Sequence, residues 1–283
     1  MSLFQSIVLG IIQGATEFLP VSSSGHMVLI PYFLGWENPP LFFNVMVHFS
    51  TLIAVLWAMW SDINDIFESF INLFKKEKEK SKDKSTNLLK SKIIWLLFIA
   101  TIPAAILGYL AHDFFEKLFS VPIYVTIAIF ITGILLFIEG WMKKTIDSLE
   151  SLRLSDAISI GIAQAIAIVP GISRLGITTV TGKSRGLSRE DSLKFSFLLS
   201  IPIIFSATLY ETFRFYKTVG SFNEISSNIN ITNTIIGMMF ALLTGFLSIK
   251  LLLNFFKRRK LRIFSLYCWV FSILSFIVII IRK

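Results

Sequence analysis

The chain carries little charge for its length. Asp, Glu, Lys and Arg make up 16% of its 283 residues, whereas a soluble domain carries about a quarter. In their place stand apolar runs that approach the roughly 20 residues needed to cross a bilayer, and the mean hydropathy is +0.72. This composition excludes an ordinary soluble enzyme and predicts an all-α polytopic membrane protein.

Cysteine is nearly absent. Cys268 is the single cysteine and lies in an apolar run, which excludes a disulfide framework and a cysteine-based metal site. The net charge of +9 does not indicate nucleic acid, because Lys and Arg lie between the apolar runs, as in membrane-protein loops. The N-terminus lacks the basic segment of a cleavable signal peptide, so none is expected.

One stretch, residues 10–26, places polar groups inside this apolar chain. Gln13 and Glu17 are four residues apart and share one face of a helix, which Pro20 then ends. The residues that follow in the break are Ser22, Ser23, Ser24, Gly25 and His26. Residues 161–176 repeat the pattern with a Gly-x-x-Gln, a helix-ending Pro, a serine in the break and a closing Gly. We interpret the two stretches as the paired halves of one site.

The apolar runs predict two similar halves. The first, residues 1–141, has a hairpin at 1–35 and spans at 41–60, 92–111 and 121–141; the second, residues 154–283, has a hairpin at 154–182 and spans at 192–213, 232–253 and 263–281. Each hairpin is interrupted too early for a full crossing, so we expect both to be re-entrant. One hairpin and three crossings per half invert the second half, which predicts an inverted-topology repeat with its binding site near the midplane.

Charge predicts the orientation. Twenty Lys and Arg fall in the connections 75–92, 143–153, 183–194 and 254–262, against five on the other side. The positive-inside rule makes the richer side cytoplasmic. A multi-pass protein of the cell membrane is expected, with both termini outside and the site opening to the outer face. The connection 75–92 is expected to be solvated and mobile, and no chemistry is assigned to it.

Glu17 is an ionisable group in an apolar segment, which points to function; the alternative is a carboxylate that is neutral or reaches the surface. With Gln13 it offers the hard oxygen ligands that suit Mg²⁺ or Ca²⁺. Ser22, Ser23, Ser24 and Gly25 could cap a helix or form an anion pocket at its start.

His26 sits at that helix start and can act as acid, base or nucleophile. Arg174 follows the Pro-Gly break of the second hairpin and suits a phosphate held through two oxygens. Ser173 and Thr178 could donate to the same phosphate. The alternative is that Arg174 pairs with Glu17 only to stabilise the fold.

Three further ionisable residues receive less specific predictions. His48 either lines the cavity or makes an interhelical hydrogen bond. His112 is expected in a solvated outer loop. Glu139, near the end of a span, is expected to reach towards the surface.

These motifs resemble those of the undecaprenyl-diphosphatases, also called bacitracin-resistance proteins. The first family signature stands at residues 13–26 as Gln-Gly-Ala-Thr-Glu-Phe-Leu-Pro-Val-Ser-Ser-Ser-Gly-His, and the second at residues 170–176 as Pro-Gly-Ile-Ser-Arg-Leu-Gly. A third similarity is Phe-Ser-Phe-Leu-Leu-Ser-Ile-Pro at 195–202. The resemblance covers essentially the whole chain.

The resemblance implies a membrane hydrolase acting on a phosphoanhydride. Its product, undecaprenyl phosphate, would be the recycled lipid carrier for peptidoglycan and cell-wall synthesis, and a divalent cation would assist. The family's functional residues fall on Glu17, Ser23, His26 and Arg174. Many members have Glu where this chain has Gln13, so a single carboxylate remains for a metal.

Several alternatives stay open from the sequence. Ser23 is the preferred nucleophile, with His26 as its base or as proton donor; a phosphohistidine at His26 and direct attack by water are the others. A transporter or flippase of the polyprenyl phosphate carrier is the rival function, because inverted repeats with broken helices are transporter architecture. An anion channel is a weaker third possibility. A homodimer is compatible with the sequence, which indicates no surface for it.

Overall fold

The structure, a computed structural model, describes residues 1–72, 81–142, 148–219, 230–256 and 261–282. Their regular secondary structure is entirely helical, with one 3₁₀ turn at Leu149–Ser151. The helices are α1 Leu3–Phe18, α2 Ser23–Leu34, α3 Leu41–Ala58, α4 Trp60–Asn72, α5 Ser81–Leu110, α6 His112–Phe119, α7 Pro122–Glu139, α8 Leu154–Ile166, α9 Arg174–Ser184, α10 Arg189–Val219, α11 Ile231–Phe256 and α12 Arg262–Ile281.

Six of the described helices are long and apolar enough to cross a membrane. They run over Leu41–Ala58, Asn87–Leu110, Pro122–Glu139, Arg189–Lys217, Ile231–Phe255 and Arg262–Ile281. Each coincides with one of the six predicted spans, so the prediction of an all-α polytopic protein is confirmed. Of the connection at 75–92, residues 75–80 lie outside the described ranges, and residues 81–92 belong to α5 rather than to a loop.

Two short apolar helices, α1 and α8, each pair with the helix that follows, α1 with α2 and α8 with α9. In α1, Ser2 and Gln5 make a capping box, which satisfies free amides of the first turn. The helix ends at Phe18, two residues before Pro20, because proline cannot continue the hydrogen-bond ladder. At the starts of α2 and α9, the hydroxyls of Ser22 and Ser173 accept from backbone amides of the first turn.

The two ends of each helix pair lie together. Phe4, at the start of α1, makes an edge-to-face contact with Trp36, just after α2, with ring centroids 6.1 Å apart. At the start of α8, Asp156 Oδ1 accepts from Arg185 Nε, just after α9, at 2.7 Å. Each pair is therefore a closed hairpin whose entry and exit are adjacent.

The two hairpins open at opposite ends of the molecule. α7 and α12 pack antiparallel: Ser272 Oγ donates to the carbonyl of Thr126 at 2.6 Å, while Gly140 abuts the Arg262 side chain. Arg282, at the end of α12, bonds the carbonyl of Phe33 near the mouth of the first hairpin at 2.9 Å. The other end of this helix pair, at the end of α7, contacts the end of α9, which is the mouth of the second hairpin.

Glycines let the hairpins pack closely against their neighbours. A Cβ on Gly10 would lie 2.3 Å from the carbonyl oxygen of Gly237 in α11. A Cβ on Gly161 in α8 would lie 2.7 Å from that of Ala100 in α5. Thus α1 packs on α11 and α8 on α5, which gives each hairpin a backing helix from the other half of the chain.

The main apolar core surrounds the two helix breaks. Phe18, at the end of α1, is fully buried and meets Phe197 of α10 edge to face at 6.0 Å. Leu29 of α2, Ile129 of α7 and Leu175 of α9 belong to the same cluster. Close-packed protein interiors hold side chains in defined rotamers, so this buried cluster gives the polar groups at the breaks a rigid support.

Candidate active site

The two helix breaks meet through an ion pair. Arg174 Nη2, in the first turn of α9, lies 2.7 Å from Glu17 Oε1, in the last turn of α1. Their side chains are 16% and 7% exposed. The two stretches that the sequence analysis pairs are therefore in contact, through residues 157 positions apart, and their joint role as one functional site stays a prediction.

The second oxygen of Glu17 accepts two more hydrogen bonds. Gln13 Nε2 donates to Oε2 at 3.0 Å, because residues four apart share a helix face. Ser23 Oγ donates to the same atom at 2.6 Å, a short charge-assisted bond. The carboxylate of Glu17 is therefore the partner of the Ser23 hydroxyl, in a position from which it can take the proton.

The other serines bind the two breaks together. Ser22 has φ of +72°, a left-handed conformation that is uncommon for a residue with a Cβ. Its Oγ accepts from the Gly25 amide at 3.3 Å and lies 3.2 Å from Ser24 Oγ. Ser24 Oγ in turn accepts from the Gly171 amide of the second break at 3.4 Å.

Thr132 of α7 holds the second break in place. Its hydroxyl donates to the carbonyl of Gly171 at 2.9 Å and accepts from the amide of Ser173 at 3.0 Å. Gly171 has φ of +101°, and a Cβ there would lie 2.5 Å from the carbonyl oxygen of Val125. Glycine is therefore required at this position for both conformation and space.

His26 has both ring nitrogens engaged away from Ser23. Nδ1 lies 2.7 Å from the carbonyl oxygen of Ser22, which can only accept, so Nδ1 is assigned the proton. Nε2 then accepts from the Tyr267 hydroxyl at 2.7 Å. The ring is buried and stacks on Phe271 at a centroid distance of 4.4 Å. The expected contact between His26 and Ser23 is absent, since the ring is turned towards α12.

Tyr267 is a site residue that the sequence analysis missed. It comes from α12, 241 positions after His26, and an isolated tyrosine in an apolar span gives little signal, because aromatic residues are common there.

The hydroxyls of Ser173 and Thr178 serve the backbone of α9. Ser173 Oγ accepts from the Gly176 amide at 3.1 Å, and Thr178 Oγ1 donates to the carbonyl of Arg174 at 2.8 Å. Both residues are almost fully buried. Their predicted role as phosphate donors stays a prediction; in this structure they order the helix start that carries Arg174.

Three buried polar atoms in or next to this cluster have no hydrogen-bond partner among the described residues: Gln13 Oε1, Asn44 Oδ1 and Arg174 Nη1. Such atoms are rare in folded proteins and call for an explanation when they occur. Two of them belong to residues bonded directly to Glu17. A bound ligand that offers both a donor or cation to the two oxygens and an acceptor to the nitrogen would satisfy them.

His48 of α3 lies at the edge of the same cluster. Its Nδ1 lies 2.8 Å from the carbonyl of Asn44, and its Nε2 lies 3.9 Å from Glu17 Oε2. The side chain is 36% exposed. Of the two predictions for His48, the structure supports the one that places it beside the site.

Two predictions for other ionisable residues are wrong. Glu139 is fully buried and does not reach the surface; its Oε1 lies 2.7 Å from both Lys183 Nζ and Arg189 Nε, because α9 and α10 bring these cations to the end of α7. His112 is not simply solvated: its Nε2 lies 2.9 Å from Glu211 Oε1 of α10. Neither contact involves neighbours in sequence.

Comparison with known proteins gives one consistent result. The model of the family described as bacitracin resistance protein BacA matches residues 6–274. The chain is 38% identical to a protein named undecaprenyl-diphosphatase from Thermodesulfovibrio yellowstonii, over 99% of both chains. It is 37% identical to proteins of the same name from Halothermothrix orenii, over 98% of both chains, and from Methanobrevibacter smithii, over 98% of this chain and 97% of the relative.

Proposed function

Because the chain belongs to the bacitracin resistance protein BacA family, we propose that it is a membrane phosphatase that hydrolyses undecaprenyl diphosphate to undecaprenyl phosphate and inorganic phosphate. The observation that carries the proposal is the meeting of Glu17, Ser23 and Arg174 at the junction of two broken helices. A hydroxyl, a carboxylate in contact with it and a guanidinium are the groups that phosphoryl transfer needs.

The diphosphate is bound by Arg174 and the adjoining helix starts. Arg174 uses Nη2 for Glu17 and leaves Nη1 buried without a described partner, so one edge of the guanidinium is available to phosphate oxygens. The start of α2 lies in the same break, and helix N-termini favour anions. The lipid tail extends into the surrounding bilayer.

A divalent cation, Mg²⁺ or Ca²⁺ in the simplest case, fits the residues next to Glu17. Gln13 Oε1 is buried and has no described partner, and the carboxylate of Glu17 supplies the negative charge that such an ion requires. When bound, the ion neutralises charge on the phosphate oxygens. The residues that would hold it are Glu17 and Gln13.

Ser23 is the nucleophile and Glu17 its base. Ser23 Oγ attacks the terminal phosphorus, its proton passes to Glu17 Oε2, and the bond from that phosphorus to the bridging oxygen breaks, releasing undecaprenyl phosphate. Water then attacks the phosphorus of the phosphoserine and loses a proton to the solvent, the bond from phosphorus to Ser23 Oγ breaks, inorganic phosphate leaves, and Glu17 returns its proton to Ser23 Oγ. Arg174 stabilises the negative charge of the transferring group.

His26 positions the serine turn. Its Nδ1–H holds the carbonyl of Ser22, and its other nitrogen is held by Tyr267, so the ring fixes the turn that presents Ser23. We assign it this supporting role in place of base to Ser23.

The two halves, residues 1–141 and 154–283, form an inverted-topology repeat with re-entrant hairpins. Three observations support this. The two ends of each hairpin are adjacent, and the two hairpins open at opposite ends of the molecule. The first helix of each hairpin packs on a helix of the other half, α1 on α11 and α8 on α5. The distribution of Lys and Arg supports a cell-membrane orientation with both termini outside and the site open to the outer face.

Phosphate release from undecaprenyl diphosphate by the purified protein in detergent tests the proposal, with and without EDTA. Wild type is expected to release phosphate, and Glu17→Ala and Arg174→Ala to release at least a hundredfold less. In detergent micelles there is no membrane to transport the lipid across, so a transporter without phosphatase activity would release no phosphate. Binding of the lipid without any phosphate release, with divalent metal supplied, would overturn the phosphatase and favour a carrier.

A further inference from the structure

We propose that Arg262, at the start of α12, binds the phosphate of an anionic phospholipid headgroup at the cytoplasmic end of α7 and α12. The ligand is a glycerophospholipid of the surrounding bilayer. The site lies outside both helix breaks and does not depend on the proposed hydrolysis. Only its assignment to the cytoplasmic leaflet rests on the proposed orientation.

Packing against α7 holds the Arg262 side chain in place. Its guanidinium carbon lies 4.9 Å from the centre of the Phe137 ring and 5.5 Å from that of Trp141. A Cβ on Gly140 would lie 2.1 Å from Arg262 Nε, so the glycine leaves the room that the side chain fills. The ring faces attract the cation but are not conventional hydrogen-bond acceptors, so the N–H donors of Arg262 still need acceptor oxygens.

The charge of Arg262 lacks a carboxylate partner. Its Nε is buried and has no hydrogen-bond partner in the part of the chain that the structure describes. Glu139, the residue before Gly140, accepts instead from Lys183 and Arg189. Five of the six residues at 257–262 are Lys or Arg, and none is acidic. The acceptor that Arg262 requires therefore comes from outside the protein.

Two further side chains on the same face of α12 also lack partners among the described residues. Ser265 and Trp269 follow Arg262 by three and seven positions, which places all three on one helix face. Ser265 is fully buried, and neither its Oγ nor Trp269 Nε1 has a partner. A Cβ on Gly133 would lie 2.6 Å from Trp269 Nε1, so this face lies against α7. The contact between α7 and α12 therefore has donors without acceptors, and Arg262 lies at its end, where headgroup oxygens can approach.

The surroundings of Arg262 favour a lipid headgroup over a soluble anion. Trp141 is 68% exposed, and Ile263 and Leu266 of α12 are exposed as well, so this end of the helix pair faces lipid. Tryptophan is enriched at the level of the headgroups. Basic segments directly cytoplasmic of a membrane span, and basic pockets between spans, recognise anionic lipids.

Titration of the purified protein in detergent with phosphatidylglycerol, followed by native mass spectrometry, tests the inference. Phosphatidylcholine, whose choline cation cancels the phosphate charge, is titrated in parallel. Wild type is expected to bind phosphatidylglycerol at least tenfold more tightly than phosphatidylcholine. Arg262→Gln is expected to bind phosphatidylglycerol at least twentyfold more weakly, because it loses both the charge and the forked donor. Arg262→Lys keeps the charge alone and is expected to lie between the two.

Lys260→Gln is the matched control, because it removes one positive charge from the same basic segment and leaves the Arg262 guanidinium in place. General attraction to anionic lipid is worth up to about fivefold per Lys or Arg, so Lys260→Gln is expected to weaken binding no more than fivefold. Equal weakening by Lys260→Gln and Arg262→Gln would overturn the site in favour of diffuse attraction.

Two other results would also overturn the inference. One is equal affinity of wild type for the two lipids. The other is displacement of phosphatidylglycerol by excess inorganic phosphate, which would assign the site to a free anion. Thermal unfolding without added lipid checks that each variant is folded. None of these readouts depends on turnover, so a failed phosphatase assay is a separate result.

Discussion

Substitutions that neutralise Glu17 and Arg174 distinguish a catalytic role of this pair from a purely structural one. Glu17→Gln leaves the guanidinium without its carboxylate, and Arg174→Gln does the converse. At 2.7 Å and an effective dielectric constant of 20, the attraction is about 6 kcal/mol, which the desolvation of both groups partly offsets. Removing one partner of a largely buried pair costs about 3–5 kcal/mol. We expect each single variant to unfold roughly 6–10 °C below wild type in detergent.

The double variant Glu17→Gln/Arg174→Gln leaves neither charge unpaired. Its unfolding midpoint is expected to recover at least half of the loss, because two amides can bond each other. Its activity is expected to stay as low as that of the singles, about a thousandfold below wild type, or about 4 kcal/mol in the barrier. The base for Ser23 and the ligand for the phosphate are both gone.

Thermal unfolding and phosphate release, measured on the same preparations, check this pair of outcomes. Asp62→Asn is the control, because Asp62 pairs with Lys194 at 3.7 Å with both side chains about a third or more exposed, and such pairs contribute about 0–1 kcal/mol. It should leave both readouts unchanged. Activity that returns together with stability in the double variant would refute the reasoning and reduce the pair to a structural contact.

Three further substitutions probe the supports of the site. Tyr267→Phe removes one hydrogen bond to His26 and is expected to lower kcat about fivefold, corresponding to about 1 kcal/mol; an unchanged kcat would remove Tyr267 from the site. Gly171→Ala is expected to abolish activity, because its Cβ would collide with the carbonyl of Val125, and a fully active variant would mean that the second break need not hold this shape. Glu139→Gln is expected to lower the unfolding midpoint by several degrees, since it removes the carboxylate charge that pairs with Lys183 and Arg189, while the folded fraction keeps its activity per molecule; loss of that activity would instead tie Glu139 to catalysis.

The sequence predicted the parts of the site that depend on local pattern. Pro20 and the Pro-Gly at 170–171 interrupt the apolar helical pattern, so the two breaks and the polar residues in them could be predicted, whereas Pro31, Pro103 and Pro202 lie inside helices. An ionisable Glu17 in an apolar segment and an Arg174 in a matching one implied that each needed a partner. The sequence analysis gives this pairing as one of two roles for Arg174, and the structure shows the contact at 2.7 Å.

What the sequence could not predict depends on conformation and on distant segments. The sequence analysis offers His26 as base for Ser23 or as proton donor, but the left-handed turn at Ser22 sends Ser23 to Glu17 and turns the ring towards Tyr267. The burial of Glu139 arises from cations on two other helices. No local pattern in the sequence reports either contact.

The most direct test of the central claim is the rate of phosphate release from undecaprenyl diphosphate by purified wild type and Ser23→Ala, measured side by side in detergent. The account predicts sustained release by wild type and a loss of at least a hundredfold in Ser23→Ala, with the unfolding temperature unchanged within a few degrees. Release by Ser23→Ala at the wild-type rate would contradict Ser23 as the nucleophile, and no release by either protein would contradict the assignment of the whole site.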